Sequence, residues 1–291
     1  MKISVILPSR SRPAGMLAVL KAYDALATGN HEIHYTLIVD DDDQHTSEQS
    51  IFWNNVNYFP ENTHIMEAPR VDTVNARFNQ AVEALPADAY IQACDDAFPV
   101  SFHWDALIYG AKEMPAYSWQ ELNDPSNATY LCINERWREA VGRFYPEYFP
   151  FWFADIWIAE VFLLAFAKPI SVVNQLQVGG KRGHTQGMRD LRFWFDFYAA
   201  TRGERWDEAV KVAKAWGFTL NKSEREEQMK ILEEGDAYQI TQIERYEKVF
   251  NADDGDPSLM YCNAKSEADR IVKYKRDRLM RKPTKVASHG Y

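Results

Sequence analysis

The feature that most constrains the fold is an alternation of short apolar runs with amphipathic segments over the first hundred residues. Residues 2–7 form an apolar run that ends at Pro8 and predicts a buried strand. Residues 14–27 have apolar side chains at helical spacing between Pro13 and Gly29, which favour a helix start and a helix stop. Further strands are predicted at 35–39, 62–67 and 89–93, with a helix after Asp72 as its N-cap. This order predicts a mostly parallel sheet covered by helices.

The second half of the chain has a mixed and then a helical pattern. Strands are predicted at 129–134 and 170–178, and helices at 135–141 and 155–166. After Gly203 the pattern predicts a helix that ends at Gly217, a helix that starts with a capping box of Ser223 and Glu226 and ends at Gly235, and a third helix over 238–250. We therefore expect an α/β domain over 1–200 and a helical C-terminal extension with a basic tail over 201–291.

Composition excludes several classes of protein. Hydrophobic residues make up 46% and charged residues 26% of the 291 residues, as in ordinary globular proteins and unlike disordered or collagen-like chains. The richest apolar stretch, 149–167, is interrupted by Asp155 and Glu160, so it is too short to span a bilayer. The first residues lack the pattern of a signal peptide. We expect no membrane span and a cytoplasmic location.

Charge and cysteine content limit the partners. A net charge of −9 excludes a surface that is basic overall and built for nucleic acid. Residues 270–285, however, contain eight Lys and Arg and one acid, which indicates either a solvated helix end or a segment that contacts phosphates. The three cysteines are far apart and have no metal-site spacing, so they are expected to be free thiols.

Acidic and basic side chains follow three of the predicted strands. Residues 8–13 (PSRSRP) follow the first strand, 40–43 (DDDD) the second, and 95–96 (DD) the fourth. The carboxyl ends of parallel strands meet at one edge of a sheet, where ligands bind. Acids gathered there repel each other unless a cation compensates, and hard divalent ions prefer carboxylate oxygens. Such aspartates are also common in turns and at helix N-caps. Both acidic segments, together with the two arginines of the 8–13 segment, favour a nucleotide-diphosphate site.

Other phosphate-binding and hydrolase motifs are absent from the sequence. It has no G-x-G-x-x-G, no Walker A motif, no H-E-x-x-H and no G-x-S-x-G. The glycine-rich segment 179–183 (GGKRG) lacks the required spacing.

The chain resembles glycosyltransferases of the GT-A fold, and in particular the glycosyltransferase family 2 type that is common in bacteriophages. The resemblance covers about residues 3–190 and depends on the order and spacing of several segments. These are ISVILPSR at 3–10, LIVDD at 37–41, NQA at 79–81, DDAFP at 95–99, ND at 123–124, GRFYP at 142–146, WFAD at 152–155, and His184. The resemblance does not extend to the helical C-terminus.

The resemblance implies a donor site and a metal site. Asp40 would contact the uracil or ribose, and the residues expected to bind the nucleotide-sugar are Pro8, Ser9, Arg10, Arg12, Asp40, Asp41, Asn79 and Asp95. Asp95 and Asp96 stand where the family has its D-x-D motif, which implies that Asp96, with His184, binds Mn²⁺ or Mg²⁺. One departure is Ala97, which replaces the second acid of that motif.

The resemblance also implies a catalytic base. Asp155 matches the acid that deprotonates the acceptor hydroxyl in inverting members, and Asp124 and Trp152 lie on the acceptor side. The apolar neighbours of Asp155 would raise its pKa toward a useful range. The alternative role for Asp155 is the N-cap of the following helix.

These observations predict a metal-dependent glycosyltransferase that moves a sugar from a UDP-sugar to a hydroxyl acceptor, with inversion. The phage-like resemblance and the basic tail suggest a hydroxymethylated base in DNA as acceptor, and a glycan or lipid-linked acceptor is the alternative. A nucleotidyltransferase is disfavoured because residues 9–12 contain no glycine. A degenerate GT-A domain that binds glycan or DNA without turnover is a further alternative, and Ala97 is its main support. The oligomeric state is not predicted.

Overall fold

The computed structural model describes residues 1–43, 59–71, 73–121, 130–149, 153–178 and 191–250. By its internal contacts the chain divides into two compact units, one of residues 1–159 and 170–187 and the other of residues 160–169 and 188–291. The domain boundary expected at residue 200 stays a prediction.

The first unit is built on a sheet of eight strands in the order β3-β2-β1-β4-β7-β6-β8-β5. The strands are β1 (Lys2–Ser9), β2 (Glu32–Asp40), β3 (Thr63–Ala68), β4 (Ala89–Gln92), β5 (Ala97–Pro99), β6 (Ala116–Glu121), β7 (Tyr130–Asn134) and β8 (Ser171–Val178). The first four strands in this order are parallel. β7 is antiparallel to both its neighbours, β8 is parallel to β6, and β5 is antiparallel to β8. The parallel half of the sheet places the ends of β1, β2 and β4 at one edge.

Among the described residues, the first unit contains the helices α1 (Pro13–Leu26), α2 (Val74–Ala84), α3 (Trp104–Gly110) and α4 (Glu135–Val141). A further helix, α5 (Ala154–Phe166), begins in the first unit and has residues 160–166 in the second. The N-cap of α2 is Thr73, whose side chain accepts from the amide of Ala76, so the prediction of Asp72 as the cap was wrong by one residue. Asn134 caps α4 in the same way, and Gly142 ends it with a φ of 90°, a value that favours glycine. Polar caps at these positions satisfy amides that the helix leaves unpaired.

An aromatic cluster fixes α1 and α3 against the sheet. The Tyr23 ring lies 5.4 Å from that of Trp104 and 5.6 Å from that of Trp119, and all three side chains are buried. The indole of Trp104 also donates to the carbonyl oxygen of Tyr23 at 2.8 Å. Aromatic pairs at these distances add to the free energy gained by burial. The cluster therefore holds the C-terminal part of α1 against α3 and β6.

The second unit contains α6 (Leu191–Ala200), α7 (Arg202–Ala215) and α8 (Lys222–Phe250). The predicted helix end at Gly235 was wrong, because α8 continues through it. A glycine inside a helix costs about 1 kcal/mol but does not end it unless the backbone turns there. The predicted capping box was also misplaced: Asn221 accepts from the amide of Glu224, and the Glu224 carboxylate accepts from that of Asn221.

A buried ionic cluster joins the helices of the second unit. The Glu160 carboxylate accepts from Arg205 Nε at 2.8 Å, from Arg202 Nε at 3.3 Å and from the Tyr198 hydroxyl. Arg202 also makes two hydrogen bonds, of 2.7 and 3.0 Å, to Asp236 in α8. Burial by itself would raise the pKa of Glu160, but the two guanidinium groups more than offset it and the pKa is lowered. Asp236 lies directly after Gly235, so this contact helps to keep α8 continuous there.

No helix within the described part of the chain combines the length and the apolar character needed to cross a membrane.

Candidate functional site

The three polar segments predicted from the sequence do meet at the carboxyl edge of the parallel strands. Ser9 at the end of β1 is in register with Val39 of β2, and Ile6 is in register with Gln92 at the end of β4. The loops after these strands are therefore neighbours. The Ser9 hydroxyl donates to Oδ2 of Asp95 at 2.7 Å, which ties the first loop to the third.

Arg12 lies between the two adjacent acids. Its Nη1 donates to Asp95 Oδ1 at 3.1 Å and to Asp96 Oδ2 at 3.2 Å. The negative charge of Asp95 raises the pKa of Arg12. Asp95 is the more buried of the two acids, and burial raises its pKa against the opposing effects of Ser9 and Arg12. The two carboxylates therefore point toward one common position, which a cationic nitrogen occupies.

Asp40 accepts from two arginines, one on each oxygen. Arg10 Nη1 lies 2.8 Å from Asp40 Oδ2, and it also lies 2.5 Å from Oδ1 of Asp42. The other oxygen of Asp40 accepts from Arg77, a buried residue of α2 that also donates to the carbonyl oxygens of Ala68 and Pro69 at 3.1 and 2.8 Å. The hydrogen bond from Arg10 lowers the pKa of Asp42. Asp40 thus holds Arg10 in place, and its predicted contact with the nucleotide base or ribose stays a prediction.

The other two acids of this segment differ in exposure. Asp43 is buried and accepts from the amide and the hydroxyl of Ser11 at 2.6 and 3.0 Å, while Ser11 has a left-handed φ of 59°. Asp41 is exposed at the strand end, with its amide bonded to the carbonyl oxygen of Ala68. Pro8 is half-buried within β1. Asp43 therefore shapes the arginine-containing loop, whereas Asp41, like Asp42, is exposed to solvent.

Asn79 has a different setting from the other residues predicted to bind the donor. It is buried in α2, and its amide accepts from the backbone of Phe144 and Tyr145 at 2.9 and 3.0 Å. It also donates to the Tyr145 carbonyl oxygen at 2.9 Å and to the Glu147 carboxylate at 2.7 Å. These four contacts hold the loop over 144–147 in place, and direct binding of the nucleotide-sugar by Asn79 stays a prediction.

Asp155 lies in the first turn of α5, one residue after the first helical residue, so the helix begins before it and it is not the N-cap. Burial raises its pKa to about 6, although the backbone amides of Ile156 and of Asp155 itself oppose this. Its charge also acts on Tyr145, whose pKa is raised first by burial and then by Asp155. The Tyr145 hydroxyl donates to Gln92, the last residue of β4, which is the strand that precedes Asp95 and Asp96.

The predicted metal ligands fall only partly within the described residues. Within the described ranges no group of three or more His, Cys, Asp and Glu side chains is arranged to hold a metal ion. The pair Asp95 and Asp96 nevertheless fits a hard divalent ion, because both carboxylates converge on one cation position beside Arg12. Ala97 is buried in β5, in register with Val178, so its position belongs to the core of the sheet. The predicted His184, Asp124 and Trp152 lie outside the described residues.

Sequence reasoning missed two residues that shape this edge. Arg77 and Gly15 were not singled out, although Arg77 is a charged residue next to the apolar stripe of its helix. Asp43 was predicted only as a member of the acidic segment 40–43, and its contacts with Ser11 were not. A charge in such a position signals a buried ionic partner. A Cβ on Gly15 would meet the backbone of Asp95, and nothing in the local sequence reports that approach.

Comparison with solved structures identifies the fold. The chain is similar to the mannosyltransferase PcManGT from Pyrobaculum calidifontis in complex with GDP-Man and Mn²⁺, with 12% identity, a TM-score of 0.54, and 96% of this chain and 84% of that chain covered. It is also similar to TarS 1–349 of S. aureus in complex with UDP-GlcNAc, with 10% identity, a TM-score of 0.52, and 95% and 91% covered. No protein-family model matches the sequence. No curated protein matches it either. The shared architecture confirms the expected α/β fold of the GT-A type.

Proposed function

We propose that this protein is a glycosyltransferase that transfers a sugar from a nucleotide-diphosphate sugar, specifically a UDP-sugar, to a hydroxyl group. The observation that carries the proposal is the convergence of Asp95 and Asp96 on one cation position at the carboxyl edge of a GT-A sheet. Donors bind at this edge in open α/β sheets. The two similar structures hold GDP-Man and UDP-GlcNAc, which supports a nucleotide-diphosphate sugar as the donor class.

Asp95 and Asp96 are the residues that would hold Mn²⁺ or Mg²⁺, with His184 as a further proposed ligand. Such an ion, when bound, stabilises the negative charge on a departing diphosphate. The residues of the chain supply the position: Ser9 fixes one oxygen of Asp95, and the arginines of the 10–12 segment offer donors suited to phosphate oxygens. Asp40, held by the buried Arg77, keeps Arg10 at the same edge.

Asp155 is proposed as the general base. Its pKa of about 6 leaves it ionised at neutral pH and basic enough to accept a proton from an acceptor hydroxyl. The residue as a whole is half-buried at the start of α5. A base on the acceptor side supports direct displacement of the diphosphate, and hence inversion at the sugar carbon.

We propose a hydroxymethylated base in DNA as the acceptor, on the strength of the basic segment 270–285 and the resemblance to bacteriophage enzymes. That segment lies outside the described residues, and a glycan or lipid-linked acceptor is the alternative. A bacteriophage origin and a cytoplasmic location belong to the same proposal. Product analysis by mass spectrometry, after incubation with DNA that contains hydroxymethylated bases or with glycans, separates the two acceptors.

A thermal-shift titration tests the donor class. The full chain and its Asp96→Asn variant are each titrated with UDP, GDP, CDP and ADP, with and without Mn²⁺. A ligand at 100 times its Kd stabilises the folded state by about 2.7 kcal/mol, which is a clear shift in Tm. We expect a shift for UDP that requires Mn²⁺ and is lost in Asp96→Asn. A shift with GDP instead would change the donor nucleotide, and no shift with any nucleotide would contradict the proposal.

A degenerate domain that binds without turnover predicts a different outcome. It would show the shift with UDP but release no UDP from a UDP-sugar in the presence of acceptor. Turnover that is lost in Asp155→Asn supports the enzyme, because that substitution leaves the proposed donor site unchanged.

A further inference from the structure

We propose that Arg12 is an internal competitor of the divalent cation: it pairs with Asp95 and Asp96, and an ion bound to these carboxylates releases its guanidinium to bind the donor diphosphate. This inference rests on the proposed function, because it assigns to that site a regulation of metal and nucleotide binding. It concerns three side chains whose contacts the structure describes.

The competition follows from the way that the oxygens of Asp95 are used. Oδ2 accepts from the Ser9 hydroxyl at 2.7 Å, and Oδ1 accepts from Arg12 at 3.1 Å. The same Arg12 nitrogen also contacts Asp96 at 3.2 Å. A divalent ion that uses both carboxylates approaches the oxygens that Arg12 contacts. Since two cations at one position repel each other, binding of the ion and pairing of Arg12 oppose one another.

The side chain of Arg12 is suited to exchange between partners. It is 44% exposed, whereas the side chain of Asp95 is only 12% exposed. Its backbone is fixed, because its carbonyl oxygen accepts from the amide of Met16 in the first turn of α1 at 3.0 Å. The anchored backbone keeps the guanidinium at the sheet edge, and the exposed head group is free to turn toward a diphosphate at the same edge.

Arg77 shows what a fixed arginine looks like in this site. Its side chain is 4% exposed, and one nitrogen donates to Asp40, Ala68 and Pro69. The pair of Arg12 with Asp96 is partly exposed on both sides, at 44% and 33%, and ion pairs of this kind contribute little to stability. The pair with Asp95 is more buried, but a bound ion would itself compensate the charge of that carboxylate. A charge-assisted hydrogen bond from the displaced guanidinium to a phosphate oxygen would offset the loss of its ion pairs.

Two effects of opposite sign follow from this arrangement. Arg12→Gln removes the competing charge, so Mn²⁺ alone binds more tightly. The same substitution removes a phosphate contact, so UDP binds more weakly when Mn²⁺ is saturating. A residue with a merely structural role would weaken both binding steps.

The test measures Mn²⁺ binding to the full chain by the EPR signal of the free ion, and UDP binding at saturating Mn²⁺ by calorimetry. Arg10→Gln is the matched control, because it removes the same charge two residues away. The Arg10 side chain pairs with Asp40 and Asp42 and not with Asp95 and Asp96. For Arg12→Gln we expect the Kd of Mn²⁺ to fall about five-fold, as for two partly exposed ion pairs. We expect the Kd of UDP to rise about ten-fold or more. Arg10→Gln should leave the Kd of Mn²⁺ within about two-fold of that of the unsubstituted chain.

The outcomes separate this inference from the proposed function. If the unsubstituted chain binds Mn²⁺ and UDP but Arg12→Gln binds Mn²⁺ no more tightly, the competition is refuted and the glycosyltransferase proposal stands. An equal gain in Arg10→Gln would also refute it, because the gain would then reflect general charge. If the unsubstituted chain binds neither Mn²⁺ nor UDP, the proposed function itself fails, and the inference fails with it.

Discussion

A Cβ atom on Gly15 would lie 2.6 Å from the carbonyl oxygen of Asp95. The first turn of α1 therefore touches the backbone of the acidic segment after β4 directly. The neighbour is backbone and not the end of a flexible side chain, so it has little freedom to move aside. The position of the two acids depends on the absence of a side chain at residue 15.

Gly15→Ala is expected to destabilise the protein and to disturb the site. Overpacking against a fixed backbone costs about 1–3 kcal/mol, which urea unfolding measures. We expect UDP binding in the presence of Mn²⁺ to weaken as well, because Asp95 is displaced.

Gly203→Ala is the matched control for this prediction. A Cβ at that helical glycine would lie 3.9 Å from a nitrogen of Arg225, which is an ordinary contact. The free energy of unfolding of Gly203→Ala should be unchanged or rise by up to about 1 kcal/mol, since alanine favours helices. Equal stability of the two variants would contradict the close approach at Gly15.

Arg77 should contribute far more to stability than Arg10, although both pair with Asp40. Arg77→Met removes one partner of a buried ion pair, and we expect a loss of about 3–5 kcal/mol in the free energy of unfolding. Arg10→Gln removes an exposed pair and should cost about 1 kcal/mol or less. Chemical denaturation of both variants measures the difference. Similar losses would show that Asp40 does not depend on its buried partner.

Asp155 should give the activity a dependence on pH with an acidic limb. A general base works only when ionised, and the pKa of this carboxyl is raised to about 6. We therefore expect kcat/KM to rise with pH through about 6 and then to level off. Asp155→Asn should lower kcat by about 10²–10⁴-fold and remove the limb. A limb that persists in Asp155→Asn would assign the base to another group.

The stability of Asp155→Asn provides a control for that experiment. A carboxyl whose pKa is raised in the folded state binds more protons there than in the unfolded chain between its usual value of 3.8 and about 6. Its contribution to stability is thus present at low pH and lost as the pH rises through that window. Replacement by Asn removes this loss, so at pH 7 the variant should be no less stable than the unsubstituted protein. A large drop in Tm would instead attribute any loss of activity to unfolding.

A pair of histidines across β2 and β3 predicts a second dependence on pH, this time of stability. His34 Nδ1 lies 2.9 Å from His64 Nε2, and the other nitrogen of His34 lies 2.7 Å from the Glu32 carboxylate. Burial, then His34, then Lys2 lower the pKa of His64. As the pH falls, His64 is therefore protonated in the unfolded chain before it is protonated in the folded protein. The free energy of unfolding consequently decreases as the pH falls below about 6.5.

Urea unfolding at pH 7 and pH 5.5 measures this effect. His64→Gln should lose less stability between the two values than the unsubstituted chain. His31→Gln alters a histidine that stacks on Tyr109 instead, and its stability should keep the original dependence on pH. The same slope in all three proteins would contradict the effect.

The sequence predicted the parts of the fold that have a clear period. The strands that precede the acids are apolar runs, and α2 has a regular apolar stripe. These patterns predicted the elements, and the structure confirms their positions within a few residues. The short elements α3 and β5 were missed, as were β6 and α6, because the mixed, aromatic-rich sequence there has no single period. Gly235 misled the prediction, since its helical position depends on tertiary contacts such as that of Asp236 with Arg202.

The position of the candidate site could be predicted from the sequence, but the ion pairs and hydrogen bonds within it could not. The topology of a parallel sheet brings Asp40 and Asp95 to one edge, and that much follows from the order of strands. Which arginine meets which acid depends on side-chain geometry, so the pairs of Arg12 and Arg77 could not be read from the sequence. The same holds for Asn79, which was expected to face the donor and is occupied by backbone groups of the loop over 144–147.

Calorimetric titration of the full chain and of its Asp96→Asn variant with UDP, with and without Mn²⁺, tests the proposed donor site most directly. The acidic pair is proposed to bind the diphosphate through a divalent ion. We predict binding of UDP that strengthens at least about ten-fold with Mn²⁺ and loses this gain in Asp96→Asn. Binding of UDP that is equal with and without Mn²⁺, or equal in the two proteins, would contradict the proposed role of the divalent ion and of Asp96.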